Sequence, residues 1–147
     1  MSLYAESSAV LAWLLGEAAG LSVRQALSTA ATIIASDLTV IECDRVLLRA
    51  AALGELTEAD AADRRAFLAT AVSQWHLLRV GAEVVDRARQ PFPGDPIRTL
   101  DAIHLASVLV ARSAVAGLEL LSLDERIRRA AALLGIRVQP AQLPESS

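Results

Sequence analysis

The sequence predicts an α/β fold with a central, mostly parallel sheet flanked by helices. Three observations carry this. Short apolar stretches of strand character alternate with stretches of helical spacing, the pattern that builds parallel sheets. Ala31-Thr-Ile-Ile-Ala35 is β-branched and continuously apolar, as suits a buried strand. No repeat, linker or low-complexity segment interrupts the 147 residues, so residues 1–139 read as one domain. Residues 140–147, polar and proline-containing, read as a loose tail.

Leu3-Tyr4-Ala5 is the first strand and Glu6 ends it. Ser7 or Ser8 caps a helix over Ala9–Leu15 that stops at Gly16. Leu21–Leu27 is a second short helix, and Ser36 follows the strand Ala31–Ala35 as a cap. Asp37–Leu53 has helical spacing at Val40, Ile41, Val46, Leu47 and Ala50 and closes at Gly54. Thr57-Glu-Ala-Asp60 opens a helix to about Ser73. Gln74–Val80 is a strand, Ala82–Gln90 a helix and Pro91–Pro96 a loop. Thr99–Arg112 is apolar almost all round and reads as a helix inside the fold. Thr99 as its N-cap places Asp101 in the first turn, where free N–H groups and the helix dipole favour a negative charge. Leu118–Ser122 is a strand, Asp124 starts a helix ending at Leu134 and Gly135, and Ile136–Val138 is a last short strand.

Apolar residues make up 54% of the chain, an excess that points to a partner or a dimer interface. No uncharged apolar run reaches the ~18 residues of a membrane helix. Glu6 and the absence of a basic leading region argue against a signal peptide. The one cysteine, Cys43, excludes an internal disulfide framework and fits a reducing cytoplasm. A net charge of −3 argues against a broad basic face for nucleic acid and leaves room for a local one. All 14 basic residues are arginine; a GC-rich genome accounts for most, and two-pronged pairing with phosphate is the sharper alternative.

Four carboxylates stand at equivalent places in this pattern. Glu6 and Asp124 follow strands, and Glu42 and Asp101 lie in early turns of helices. In a parallel sheet these places share one edge, the edge where such sheets bind ligands. Four carboxylates brought together repel unless cations join them, and Mg²⁺ or Mn²⁺ is the natural counter-charge for oxygen ligands. Such metals serve phosphodiester cleavage by activating water and stabilising the leaving oxygen. Each acid also has a structural reading. Glu42 stands three residues after Thr39 in a capping-box pattern, Asp124 suits an N-cap, Asp101 a dipole partner, and Glu6 a solvated strand end.

The residues around these acids resemble a family. Tyr4-Ala-Glu6-Ser-Ser-Ala-Val-Leu, Ser36-Asp-Leu-Thr-Val-Ile-Glu42, Arg98-Thr-Leu-Asp101-Ala-Ile-His-Leu-Ala and Leu120-Leu-Ser-Leu-Asp124-Glu-Arg-Ile-Arg-Arg-Ala-Ala are similar, in order, to the four motifs of PIN domains. The length and third motif look like the VapC-type toxins of toxin–antitoxin pairs. The resemblance implies a PIN-like three-layer fold and a Mg²⁺- or Mn²⁺-dependent endoribonuclease. It places Glu6, Glu42, Asp101 and Asp124 at the metal, with in-line attack by water leaving 5′-phosphate and 3′-hydroxyl ends. Ser7 and Ser122 fall where the family often has a hydroxyl supporting the first and last acids. The resemblance also implies an RNA substrate, a homodimer, and a small antitoxin that blocks the acidic site, often with an arginine. One departure stands out: the family normally has Asp at the first motif, and this chain has Glu6. Mg²⁺ demands near-ideal octahedral geometry, so the extra methylene leaves two readings open, an active nuclease and a module that binds RNA or antitoxin without cutting.

Other residues admit two readings each. His104, one turn from Asp101, suits a base or ligand but reads better as a satisfied core histidine. His76, Trp13 and Trp75 read as structural, and Cys43 lacks a base partner for a nucleophilic role. Arg98 grips a scissile phosphate or bonds Asp101 or a nearby loop. Arg126, Arg128 and Arg129 form a solvated helix face or an RNA-backbone contact. Asp95 and Glu125 are spare acids near the site. A phosphorylated receiver-like domain is disfavoured, since no lysine is present to serve its acidic cluster.

Overall fold

The computed structural model describes residues 1–143. In chain order it comprises β1 (Ser2–Ala5), α1 (Ser7–Leu14), α2 (Gly20–Thr29), β2 (Thr32–Ser36), α3 (Asp37–Ala52) and α4 (Glu58–Val72). Then come β3 (His76–Leu78), α5 (Ala82–Ala88), α6 (Thr99–Ala114), β4 (Glu119–Leu121), α7 (Glu125–Leu133) and β5 (Val138–Gln139). The strands form one sheet in the order β3-β2-β1-β4-β5, and every pairing is parallel. All five strand carboxyl ends therefore share one edge.

The pleat divides the core between the two faces. Leu3 and Ala5 of β1, with Ala35 and Leu121, pack among Val10, Leu14, Leu47 and Leu68 from α1, α3 and α4. Tyr4 of β1, with Ile34 and Leu120, packs among Leu105, Val108 and Ile127 from α6 and α7. Helices thus cover both faces, giving the three layers expected.

Local chemistry moves several boundaries. α3 starts at a capping box of Ser36 and Thr39, so Glu42 lies one turn further on and its capping reading falls away. Gly54, at φ +74°, follows that helix in the left-handed region glycine allows. Ile41 (56% exposed) and Val46 (39%) point outward from α3, whose buried face is Thr39, Cys43, Leu47 and Ala50. α6 begins at Thr99 itself, with Arg98 in the N-cap position and no side-chain cap. Asp101 still falls in its first turn. The helix is buried on most sides but not all: Leu100 is 47% exposed. The expected strand Gln74–Val80 shrinks to the three residues of an edge strand, leaving His76 exposed. Trp75 stacks instead on Trp13, which meets Phe67 edge-on. Residues 144–147 of the expected tail lie outside the described residues; the Pro140 carbonyl accepts from the Arg128 guanidinium.

α2 approaches α1 closely at Gly20. A Cβ there would lie 2.5 Å from the Ala12 carbonyl oxygen, which is backbone and cannot swing aside. Gly20→Ala is expected to destabilise the protein by about 1–3 kcal/mol, seen as a lower urea midpoint with unchanged slope.

Candidate active site

β1 ends in the middle of the sheet, and Glu6 follows it directly. The Glu6 backbone N–H donates to Leu121 O at 3.0 Å, tying this position to the end of β4. Thr39 Oγ1 donates to Ala5 O at 3.1 Å and ties the start of α3 to the same place. Three elements distant in sequence are thus fastened around the Glu6 carboxyl.

Glu6 is only 4% exposed, so the solvated reading of this residue falls away. Its Oε2 accepts from the Ser122 hydroxyl at 2.7 Å and from the Ser8 hydroxyl. Burial holds its carboxyl above the ordinary glutamate range, against the opposing pull of His104 and the two serines.

Glu42 reaches in from the second turn of α3. Its Oε1 accepts from Ser7 Oγ at 2.8 Å and from His104 Nε2 at 2.5 Å. Burial pushes this carboxyl upward, but the bonds from His104 and Ser7, with the His104 charge, outweigh it and hold the carboxyl below the ordinary range. His104 is itself 1% exposed. Its Nδ1 lies 3.0 Å from the Tyr4 hydroxyl, a phenol that burial keeps firmly protonated. His104 Nε2 thus shares a hydrogen bond with Glu42, and Nδ1 shares one with the Tyr4 hydroxyl. His104 is a satisfied buried residue, as expected, and its partner is a candidate site carboxylate.

Asp101 and Asp124 form the other half of the site. Asp101 is partly exposed in the first turn of α6. Burial and the charge of Asp124 raise its carboxyl above the ordinary aspartate range, while His104, Arg98 and Arg126 pull the other way. Asp124 is the N-cap of α7, its Oδ1 accepting from the backbone N–H groups of Arg126 (2.9 Å) and Ile127 (3.2 Å). Asp124 therefore fills the capping role that its position suggested. Buried Ser122 joins the two halves: its Oγ donates to Glu6 and accepts from the Asp124 N–H at 3.1 Å.

The four acids thus occupy one edge as two subsets, not one cluster. Among the described residues, no three His, Cys, Asp or Glu side chains are grouped closely enough to hold a metal ion. The charge-coupled pair Asp101 and Asp124 nevertheless fits Mg²⁺ chemically, since this ion is commonly held by one or two carboxylates together with water and substrate phosphates. Glu6 and Glu42 are engaged with serine and histidine donors.

Arg98 is exposed, and no hydrogen bond links it to Asp101 or the adjoining loop among the described residues. The arginines after Asp124 separate by helical phase. Arg128 is a strap, donating to the carbonyls of Ser122 (2.8 Å), Gln139 (3.2 Å) and Pro140 (2.6 Å). Arg126 and Arg129 are exposed. Asp95 spends both oxygens on its own loop, accepting from Phe92 N and Ile97 N. Sequence reasoning missed Ser8 and Tyr4 as site partners. The Ser7-Ser8 pair following Glu6 was the available signal: one hydroxyl serves Glu42 and the other Glu6.

The PIN domain family model matches residues 3–133. A comparison with curated proteins returns no match. A toxin–antitoxin complex from Klebsiella pneumoniae aligns with a TM-score of 0.65 at 19% identity, covering 98% of this chain and 100% of that one. VapC20 of Mycobacterium tuberculosis, described as a toxin that cleaves the sarcin–ricin loop, aligns with a TM-score of 0.63 at 13% identity, covering 97% of this chain and 99% of that one. VapBC2 from Rickettsia felis, bound to a promoter DNA fragment, aligns with a TM-score of 0.62 at 9% identity, covering 95% and 98%. These likenesses show a common fold. With the family match spanning all four acids, the chain belongs to the PIN domain family.

Proposed function

We propose that this protein is a divalent-metal-dependent endoribonuclease, the toxin of a toxin–antitoxin pair. The observation that carries the reading is the placement of Asp101, in the first turn of α6, and Asp124, at the N-cap of α7 just past β4, beside a fully parallel sheet inside a PIN domain. The similar folds of a toxin–antitoxin complex and of an RNA-cleaving toxin support it. Bound Mg²⁺ or Mn²⁺ would neutralise charge on the phosphate and lower the pKa of an attacking water. Asp101 and Asp124 would hold the ion. Glu42 is fixed through Oε1 by Ser7 and His104, and Arg98, exposed at the N-cap of α6, would supply positive charge for the scissile phosphate. Partners would be RNA, a cognate antitoxin and a second copy of the chain; the outward Ile41, Leu53 and Phe67 offer apolar surface for the last two. No helix among the described residues is long and apolar enough to cross a membrane. A reducing cytoplasm, where the protein would meet RNA, is the compartment that suits this reading.

The test is cleavage of a structured RNA by protein freed of antitoxin, with Mg²⁺, with Mn²⁺ and with EDTA. Cutting that needs metal is the expected result, and equal cutting in EDTA would sink the metal reading. A second reading, a module that binds without cutting, is favoured by one observation: Glu6 is buried, raised in pKa and held by two serines. If it is correct, the wild type does not cut with either metal and Glu6→Asp does.

A further inference from the structure

A cavity of about 460 Å³ opens beside Asp101, between the start of α6 and the outer face of α7. Arg98, Arg126 and Arg129 line it, with Pro96, Ile97 and Leu133 as its apolar surface. Three arginines thus line a space whose one acidic lining residue is Asp101, in a chain whose net charge is −3. The placement has a structural cause. Arg126 and Arg129 are three residues apart on α7 and share a face. Arg98 projects from the N-cap of α6, and the Asp95 hydrogen bonds to Phe92 N and Ile97 N shape the loop closing the third side. None of the three arginines makes an ion pair or side-chain hydrogen bond among the described residues, whereas Arg128 between them is fully engaged. Exposed arginines left unpaired around one concavity await an anion.

We infer that this cavity is a nucleotide subsite, in which Arg126 and Arg129 clasp an RNA phosphate neighbouring the scissile one and Pro96, Ile97 and Leu133 receive its base. The inference rests on the ribonuclease reading, because Asp101 belongs both to the cavity wall and to the candidate active site. Guanidinium forks match phosphate oxygens in two-pronged fashion. An apolar surface beside them suits a flat base, and only an unpaired nucleotide can turn its base into a concavity. Asp101 repels a phosphate, so the anion settles on the α7 side, with Arg98 left for the phosphate nearer the acids. An acidic protein segment would satisfy the charges but gives the apolar surface no defined role.

The experiment measures binding of a short fluorescent single-stranded oligoribonucleotide in EDTA, where no cutting occurs, across a salt series. Arg126→Ala/Arg129→Ala is expected to weaken binding about tenfold and to lower the slope of log affinity against log salt by about 1. Arg126→Lys/Arg129→Lys should recover the slope but not the full affinity, because lysine keeps the charge and loses the fork. Arg24→Ala/Arg137→Ala removes the same charge from exposed positions off the cavity and should change neither quantity. Unchanged binding by the first variant, an equal loss in the last, or no RNA binding by wild type would each overturn the subsite. So would dependence on Arg126 and Arg129 of an acidic polyglutamate peptide but not of RNA, which would mark a protein-docking site. Cleavage assays run in parallel separate the two failures: an enzyme that cuts but binds independently of these arginines loses only the subsite, and one that binds through them but never cuts loses only the nuclease reading.

Discussion

Asp101→Asn should leave the fold intact and cut metal-dependent RNA cleavage by about a hundredfold or more, since even residues that only support a metal ligand are worth ten- to a hundredfold. The same variant should be more stable than wild type when metal is removed. Burial and the Asp124 charge raise the Asp101 carboxyl in the folded protein above its unfolded value. A raised acid contributes stability that is full below the unfolded aspartate range and is lost as pH rises through the folded value. At neutral pH the wild type has therefore lost that contribution, and asparagine, which does not ionise, has no such loss. Melting temperatures in EDTA should fall for wild type as pH climbs past the aspartate range and fall less for Asp101→Asn. A loss of activity joined to a gain of stability marks a functional carboxylate. A variant that loses both would make Asp101 a structural residue.

His104→Ala should be the most damaging single substitution at the site, costing about 2–5 kcal/mol in urea unfolding, a large part of the ~5–15 kcal/mol of a typical domain. It empties a position only 1% exposed and leaves the Tyr4 hydroxyl without its hydrogen-bond partner. It also removes one of the two donors that fix Glu42, so cleavage should fall beyond what partial unfolding explains. Tyr4→Phe separates these effects. It loses only the phenol's bond to Nδ1 and should cost about 1 kcal/mol. Full activity in His104→Ala at a temperature where it is folded would show that Glu42 needs no positioning.

The candidate site was legible in the sequence where it depends on chain position and illegible where it depends on pairing. Glu6 and Asp124 follow strands, and Asp101 opens a helix; a parallel sheet then gathers them on one edge without knowledge of any contact. The bond between His104 and Glu42 joins residues 62 apart, and that between Ser122 and Glu6 residues 116 apart. Both arise from β1 lying between β2 and β4, a strand order that periodicity does not report. Helix starts suffered from local competition. Thr99 has cap chemistry, yet the chain turns helical at Thr99 itself, one residue earlier than an N-cap there requires. The arginine run read as one feature because composition ignores phase. On α7, Arg126 and Arg129 share a face and Arg128 turns toward the ends of β4 and β5.

The central position of β1 also sets a clock. β1 pairs with β2 within the first quarter of the chain, but its other neighbour, β4, ends at Leu121. Glu6 has no Ser122 and Asp101 no Asp124 until that stretch has been made and released. At synthesis rates of roughly 5–20 residues per second, the chain spends on the order of ten seconds with its first acid made and its last one absent. A chain that has not yet released that stretch therefore carries no assembled edge. An RNA-cutting protein of this topology would be silent until its fourth strand and the acid after it had emerged, long after its first acid was made.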